Sequence, residues 1–447
     1  MKDIAGGGSS ERPPRRRLRT GFSTGTAMTA AARAALRTIL TGRAPSWVAV
    51  RLPIGYYLAV PTSIAFQGER VAHAVVIKDA GDDPDVTHKA SVEVRLKVTW
   101  ANPKNAMFHE AAGGGFQEPA TSAHLILAAG SGVGLVTKQG LPVPVGEPAV
   151  NPTPRAMLVQ NLAEELDRSA DSKSFFCEET CHPYETEDPW ESAGPSVRLP
   201  LVLSVPVPPS FTIHVEVSVA QGEELARRTL NPRLGIVGGL SILGTTGLVK
   251  PLSHEAYEET ILAALHVARA AGCTTVVLST GGKSEKLARS VLAHEPLEAF
   301  VQIADFFAFA VRHAAQMGFA QIVHSVFFGK AVKMACGLAS THARKAAMDF
   351  RALVRCGERA GAPQDLLNHV SRANTARHAL QILMKAEAHA VVQEVAREAV
   401  RHSRRFAQKE GLRVRLLLFH DDGTLLADVK DSNGIEDPAV HGESHDP

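Results

Sequence analysis

Near Gly222 the spacing of apolar residues changes character, and few architectures accommodate both halves in one layer. Upstream, WVAVRLP (47–53), YYLAV (56–60), RVAHAVVIK (70–78), SVEVRLKVTW (91–100) and FTIHVEVSVA (211–220) alternate with the period-two pattern of half-buried strands. Downstream, helical and strand patterns take turns. A helix over 253–271 precedes a strand TTVVLST (274–280), helices over 284–293 and 300–317, a strand QIVHSVF (321–327) and a helix over 329–338. A strongly helical stretch, 345–410, leads to a closing hairpin made of LRVRLLLF, HDDG and TLLADV. The pattern predicts an α+β domain over 18–220, then an α/β domain over 221–430 with a mostly parallel sheet. Ligands of such a sheet sit at the C-terminal strand ends, where STGGKSE and FFGK fall.

Composition narrows the function classes. The net charge of +2 implies no general affinity for nucleic acid. Five irregularly spaced cysteines suggest a reducing compartment rather than a disulfide framework. No apolar run is long enough to span a bilayer, and the N-terminus lacks the apolar core of a signal peptide, so a cytoplasmic, membrane-free protein is expected. Residues 1–17, with a basic run and Gly6-Gly7-Gly8, read as a disordered tail, as does 431–447.

Several stretches carry candidate chemistry. Five glycines fall between 235 and 247, with Thr245 and Thr246 among them. Such a loop brings backbone N–H groups close to a ligand, or serves as a structural turn. Thr20, Ser23, Thr24 and Thr26 cluster at the start of a helix over 24–41, where they cap it or hold an anionic group. Asp79, Asp82, Asp83 and Asp85, with His88, form either a hard-cation loop or an ordinary turn. HLILAAGSGVGLVTKQGL (124–141) reads as a Gly-rich hairpin turn, and a helix follows from about Pro152. Residues 168–210 read as a surface insertion. Its Cys177, Cys181 and His182 lack a second ligand pair nearby.

LRTGFSTGTAMTAAARAAL (18–36), VIKDAGDDPDVTH (76–88), GSGVGLVTKQGLPVPVGEPAVNPTPR (130–155), LNPRLGIVGGLSILGTTGLVKPLS (230–253), STGGKSEKLA (279–288) and the region 302–349 occur in this order. Together they resemble the cobalt-precorrin-5B (C-1)-methyltransferase family of vitamin B12 biosynthesis, over most of residues 18–428. The resemblance implies methyl transfer from S-adenosyl-L-methionine to ring carbon C-1 of cobalt-precorrin-5B, giving cobalt-precorrin-6A. It also implies a corrinoid small-molecule substrate that brings its own cobalt, and no protein-bound metal. A homodimer is one open arrangement of the chain.

The donor is then expected at Gly238, Gly239, Gly244, Thr245, Thr246, Gly281 and Gly282. The substrate's acetate and propionate groups call for cations and hydroxyls, and Thr24, Thr26, Arg233, Lys250, Lys283, Lys330 and Arg344 lie in or beside the matching motifs. His342 is a candidate base. Ala27 stands where family members usually carry cysteine, and Ser340 where they usually carry asparagine. Two other readings stay open: a nucleotide-dependent enzyme of different chemistry, and a corrinoid-binding protein without catalysis.

Overall fold

The computed structural model describes residues 18–100, 123–168, 194–203, 211–341 and 350–431. They fall into two compact units. The first draws on Met1–Val136, Gly146–Pro232 and Ile236–Ser253, and the second on Thr137–Val145, Arg233–Gly235 and His254–Pro447.

The first unit is built on a six-stranded sheet. Its strands, edge to edge, are Ser196–Leu201, Ala123–Ala129, Thr212–Val219, Ser91–Thr99, Val71–Ile77 and Ser63–Gln67. Neighbours run antiparallel except Thr212–Val219 beside Ala123–Ala129, which are parallel. Alternation in the sequence becomes a two-faced sheet: Val92, Val94, Leu96 and Val98 point into the core while the residues between them are half-exposed. The helix Thr24–Thr41 packs on the inward face. Its alanines let it lie close to the strands, and Ala30, Ala31, Ala34 and Ala35 are fully buried. The helix Pro152–Arg168 packs beside it.

The sheet of the second unit has the order Phe300–Gln302, Thr275–Ser279, Gln321–Phe327, Arg413–Phe419, Leu425–Lys430. The first four are parallel and the last is antiparallel. The chain enters at Thr275–Ser279, steps to one side for Phe300–Gln302, then crosses to the other side for Gln321–Phe327. Thr275–Ser279 is buried along its whole length, because helices cover both faces. The helix Gly282–Val291 packs on Thr275–Ser279 and Gln321–Phe327. Helices Phe307–Gln316 and Phe328–Ala335 pack instead against His389–Ala407. Among the described residues no helix is long and apolar enough to cross a membrane.

The structure corrects four expectations. Residues 300–317 are not one helix: Phe300–Gln302 is a strand, and the helix starts at Phe307. The parallel pairing of Phe300 with Val277 and Val301 with Leu278 decides this, although the run of apolar residues hides it. The stretch 124–141 makes no hairpin. Gly132–Val133 pairs in parallel with Gly239–Leu240, and Leu135–Val136 pairs antiparallel with Ile236–Val237. Those pairings, with Gly21–Phe22 against Leu248–Val249, place 236–253 in the first unit rather than beyond a boundary at 220. Finally, 196–201 within the supposed loop 168–210 is an edge strand, and Pro200 is tolerated there because an edge strand has an unpaired side. The cysteine pair Cys177 and Cys181, His182 and both chain ends lie outside the described residues.

Candidate functional site

In the first unit, two stretches far apart in sequence close on each other. Ser23 caps the helix Thr24–Thr41, its side chain accepting from the Thr26 N–H at 3.2 Å. The Gly247 carbonyl accepts from the Ser23 N–H at 2.9 Å and from the Thr26 hydroxyl at 2.7 Å. Thr24 Oγ1 accepts from the Leu243 N–H at 3.0 Å and lies 3.2 Å from its carbonyl. The hydroxyls of Thr24 and Thr26 thus hold the Gly-rich loop onto the helix start, and both residues are buried.

The glycines of that loop differ in what surrounds them. A Cβ on Gly239 would lie 2.3 Å from the backbone of Gly132, and one on Gly244 would lie 2.2 Å from Ser23 Oγ, so close packing accounts for both. Gly238 is exposed at φ +84° with open space around it. Thr245 and Lys250 are exposed, and Thr246 closes a local turn with both backbone groups of Leu248 at 3.3 Å. The acidic loop is held by internal contacts: Arg19 pairs with Asp79, Lys78 pairs with Asp85 and donates to Thr87 Oγ1 at 2.6 Å, and Asp82 and Asp83 accept from the N–H groups of Arg19 and Leu252. No grouping of three or more potential metal ligands occurs among the described residues.

In the second unit Gly281, Gly282, Lys283 and Lys330 lie just past the C-terminal ends of strands. Thr280, Gly281 and Gly282 follow Thr275–Ser279. The Ser325 hydroxyl anchors this loop by donating to the Ser284 carbonyl at 2.7 Å, and Ser284 Oγ donates to the Gly281 carbonyl at 2.9 Å. Lys283 donates to the Asp421 carbonyl, while Lys330 pairs with Asp305, so the two lysines take different partners. Thr341 Oγ1 donates to Asp305 at 2.9 Å, and the buried Lys333 donates to the Thr341 carbonyl at 3.1 Å. Burial pushes the Lys333 ammonium below its ordinary pKa, and the charge of Lys330 adds to the effect. Arg233 pairs with Glu285 at 2.8 Å and donates to the Phe300 carbonyl at 2.5 Å. His342 and Arg344 lie outside the described residues.

One family model, described as CbiD, matches residues 11–175 and 202–251, and a second, described as CbiD, C-terminal domain, matches 340–430. The cobalt-precorrin-5B C(1)-methyltransferase of Nitratidesulfovibrio vulgaris is 41% identical over 432 residues, covering 94% of this chain and 96% of that protein. The chain belongs to the CbiD family. Proteins of the same name from Geobacillus kaustophilus and Salinispora arenicola are 37% and 38% identical to it, over 83% and 82% of this chain and 83% and 80% of theirs. A crystal structure of the cobalamin biosynthesis protein cbiD from Archaeoglobus fulgidus, 23% identical, covers 71% of this chain and 79% of that one with a TM-score of 0.32, too slight a likeness to bear on the fold.

In this CbiD-family chain Ala27 is fully buried within the helix Thr24–Thr41, so no thiol chemistry is available there. Sequence reasoning also missed Asp305 as a strand-end group. Reading 300–317 as a helix placed it mid-helix. The available signal was the short strand-like stretch Phe300-Val301-Gln302-Ile303, set between Pro296 and Asp305.

Proposed function

We propose that this chain transfers a methyl group from S-adenosyl-L-methionine to carbon C-1 of cobalt-precorrin-5B, giving cobalt-precorrin-6A in corrin-ring biosynthesis. The single observation that carries this reading is the 41% identity spanning 96% of a relative that bears that activity as its name. The donor supplies a methyl on sulfonium sulfur, and the macrocycle supplies an electron-rich carbon. The protein is then left mainly with holding and aligning the two and keeping water away.

The residues fit that demand. Gly281 and Gly282 offer open space at a strand end, where a side chain would otherwise stand. Gly238, Thr245 and Lys250 are the exposed members of the first unit's loop. Lysines and arginines suit the substrate's carboxylates, and the cobalt, on this reading, arrives within the corrinoid. The test is incubation with methyl-labelled S-adenosyl-L-methionine and cobalt-precorrin-5B, followed by mass analysis of the corrinoid. Label on the ring carbon, with S-adenosylhomocysteine released, is expected. An unmodified corrinoid beside an intact donor overturns the proposal.

A further inference from the structure

We infer that the second unit holds the adenosine half of the methyl donor at the C-terminal end of the strand Thr275–Ser279, with Asp305 as the acceptor for the ribose hydroxyls. The inference rests on the proposed use of S-adenosyl-L-methionine and gives that donor a location.

Three observations converge within this unit. The strand order reverses at Thr275–Ser279: its sequence successor Phe300–Gln302 lies on one side, and Gln321–Phe327 lies on the other. In open parallel sheets the crevice at such a reversal is where nucleotides bind. The loop leaving this strand is Gly281-Gly282. A Cβ on Gly281 meets nothing within 4 Å, and one on Gly282 approaches only Gln302 Nε2, at 3.9 Å. Packing therefore does not account for either glycine, in contrast to Gly239.

The second observation is Asp305, just past the end of the neighbouring strand and 24 residues beyond Gly281. In nucleotide-binding units of this topology a carboxylate about 20 residues past the glycines receives the ribose hydroxyls. Ala304 before it is held at φ +46°, a left-handed conformation uncommon for a side-chain-bearing residue. Lys330 and Thr341 both hold the Asp305 Oδ1.

The third is aromatic. Phe306, next to Asp305, stacks with Tyr257 at 5.9 Å between centroids and 23° between planes, and Tyr257 is 55% exposed. A flat apolar surface beside a ribose acceptor suits a purine.

Calorimetric titration of the full chain with S-adenosylhomocysteine and with its 2′,3′-dideoxy analogue tests the assignment. In the unaltered protein the analogue should bind about 10-fold or more weakly, as loss of charge-assisted hydrogen bonds implies. Asp305→Asn should erase that difference. Gly281→Leu should abolish binding while leaving the melting temperature nearly unchanged, since the space is open and the extended backbone there accepts any residue. If Asp305→Asn does not fold, Gly281→Leu decides alone. Normal affinity in folded Gly281→Leu, or an undiminished preference for the ribose hydroxyls in Asp305→Asn, overturns this location while leaving methyl transfer standing. No donor binding by the unaltered protein, with or without corrinoid, overturns both.

Discussion

Thr26 donates its hydroxyl to the Gly247 carbonyl at 2.7 Å, joining two residues 221 positions apart in the chain. Thr26 is fully buried. Thr26→Val keeps the shape and removes the donor, although the Ser23 N–H still reaches the same carbonyl. A loss of about 1–2 kcal/mol of stability is expected, with methyl-transfer turnover of the folded fraction retained. A melting curve beside a turnover assay checks it. Lost turnover at unchanged stability would give the hydroxyl a substrate role instead.

Gly238 and Gly239 are neighbours with opposite tolerances. Gly239→Ala drives a Cβ into the backbone of Gly132, so a loss of about 3 kcal/mol or more, or no folded protein, is expected. Gly238→Ala meets open space and costs only its left-handed backbone, about 1–2 kcal/mol. Chemical denaturation of the two variants gives the ranking, and equal losses would refute it.

Arg33 is wholly buried, and its Nε lies 2.7 Å from Glu165. Glu165 also takes Arg37 at 2.5 and 2.8 Å. Burial works against the Glu165 carboxylate. The hydrogen bonds and charges of Arg37 and Arg33 outweigh it and hold the pKa below the ordinary value of 4.5. A depressed acid stabilises the fold above its unfolded pKa, and that contribution is lost as pH falls through the lower folded value. Glu165→Gln should therefore cost about 3–5 kcal/mol at neutral pH, by leaving the buried Arg33 only its longer pairing with Glu164 at 3.4 Å. It should also flatten the acid limb of the stability profile below about pH 4.5. Melting temperatures recorded from pH 7 to pH 3 for both proteins measure the two effects.

His324 shifts stability in the same direction, in a higher pH window. It is fully buried, Nε2 lies 2.8 Å from Ser403 Oγ, and burial pushes its pKa down to about 3. Below its ordinary value of 6.5 the unfolded chain takes a proton that the folded chain refuses, so stability falls as pH drops from 6.5 toward 3. The slope in that window should approach about 1.4 kcal/mol per pH unit from this residue. His324→Gln should remove it between pH 6 and about pH 5, above the carboxylate range. An unchanged slope would show that the imidazole finds a proton acceptor when charged.

Legibility in the sequence followed the range of the interactions. The helix Thr24–Thr41 and the strands Val71–Ile77 and Ser91–Thr99 were readable, because capping and period-two alternation are local marks. The strand Phe300–Gln302 was not: three residues carry no periodicity, and its identity comes from Val277–Ser279 beside it. Gly239 looks the same in sequence whether a ligand or a neighbouring backbone fills the missing Cβ. Only the pairing with Gly132–Val133 reveals which atoms stand there. Asp305 was hidden for the same reason as its strand.

The division of the chain into units has a consequence for its synthesis. Residues 236–253 supply Gly239–Leu240 and Leu248–Val249, which pair within the first unit, while 137–145 and 233–235 are counted with the second. A nascent chain released through residue 220 would still lack those pairings, so the N-terminal half cannot finish folding ahead of the ribosome as an independent piece. Fragments cut at the apparent change of pattern near Gly222 should be soluble only when both are made together.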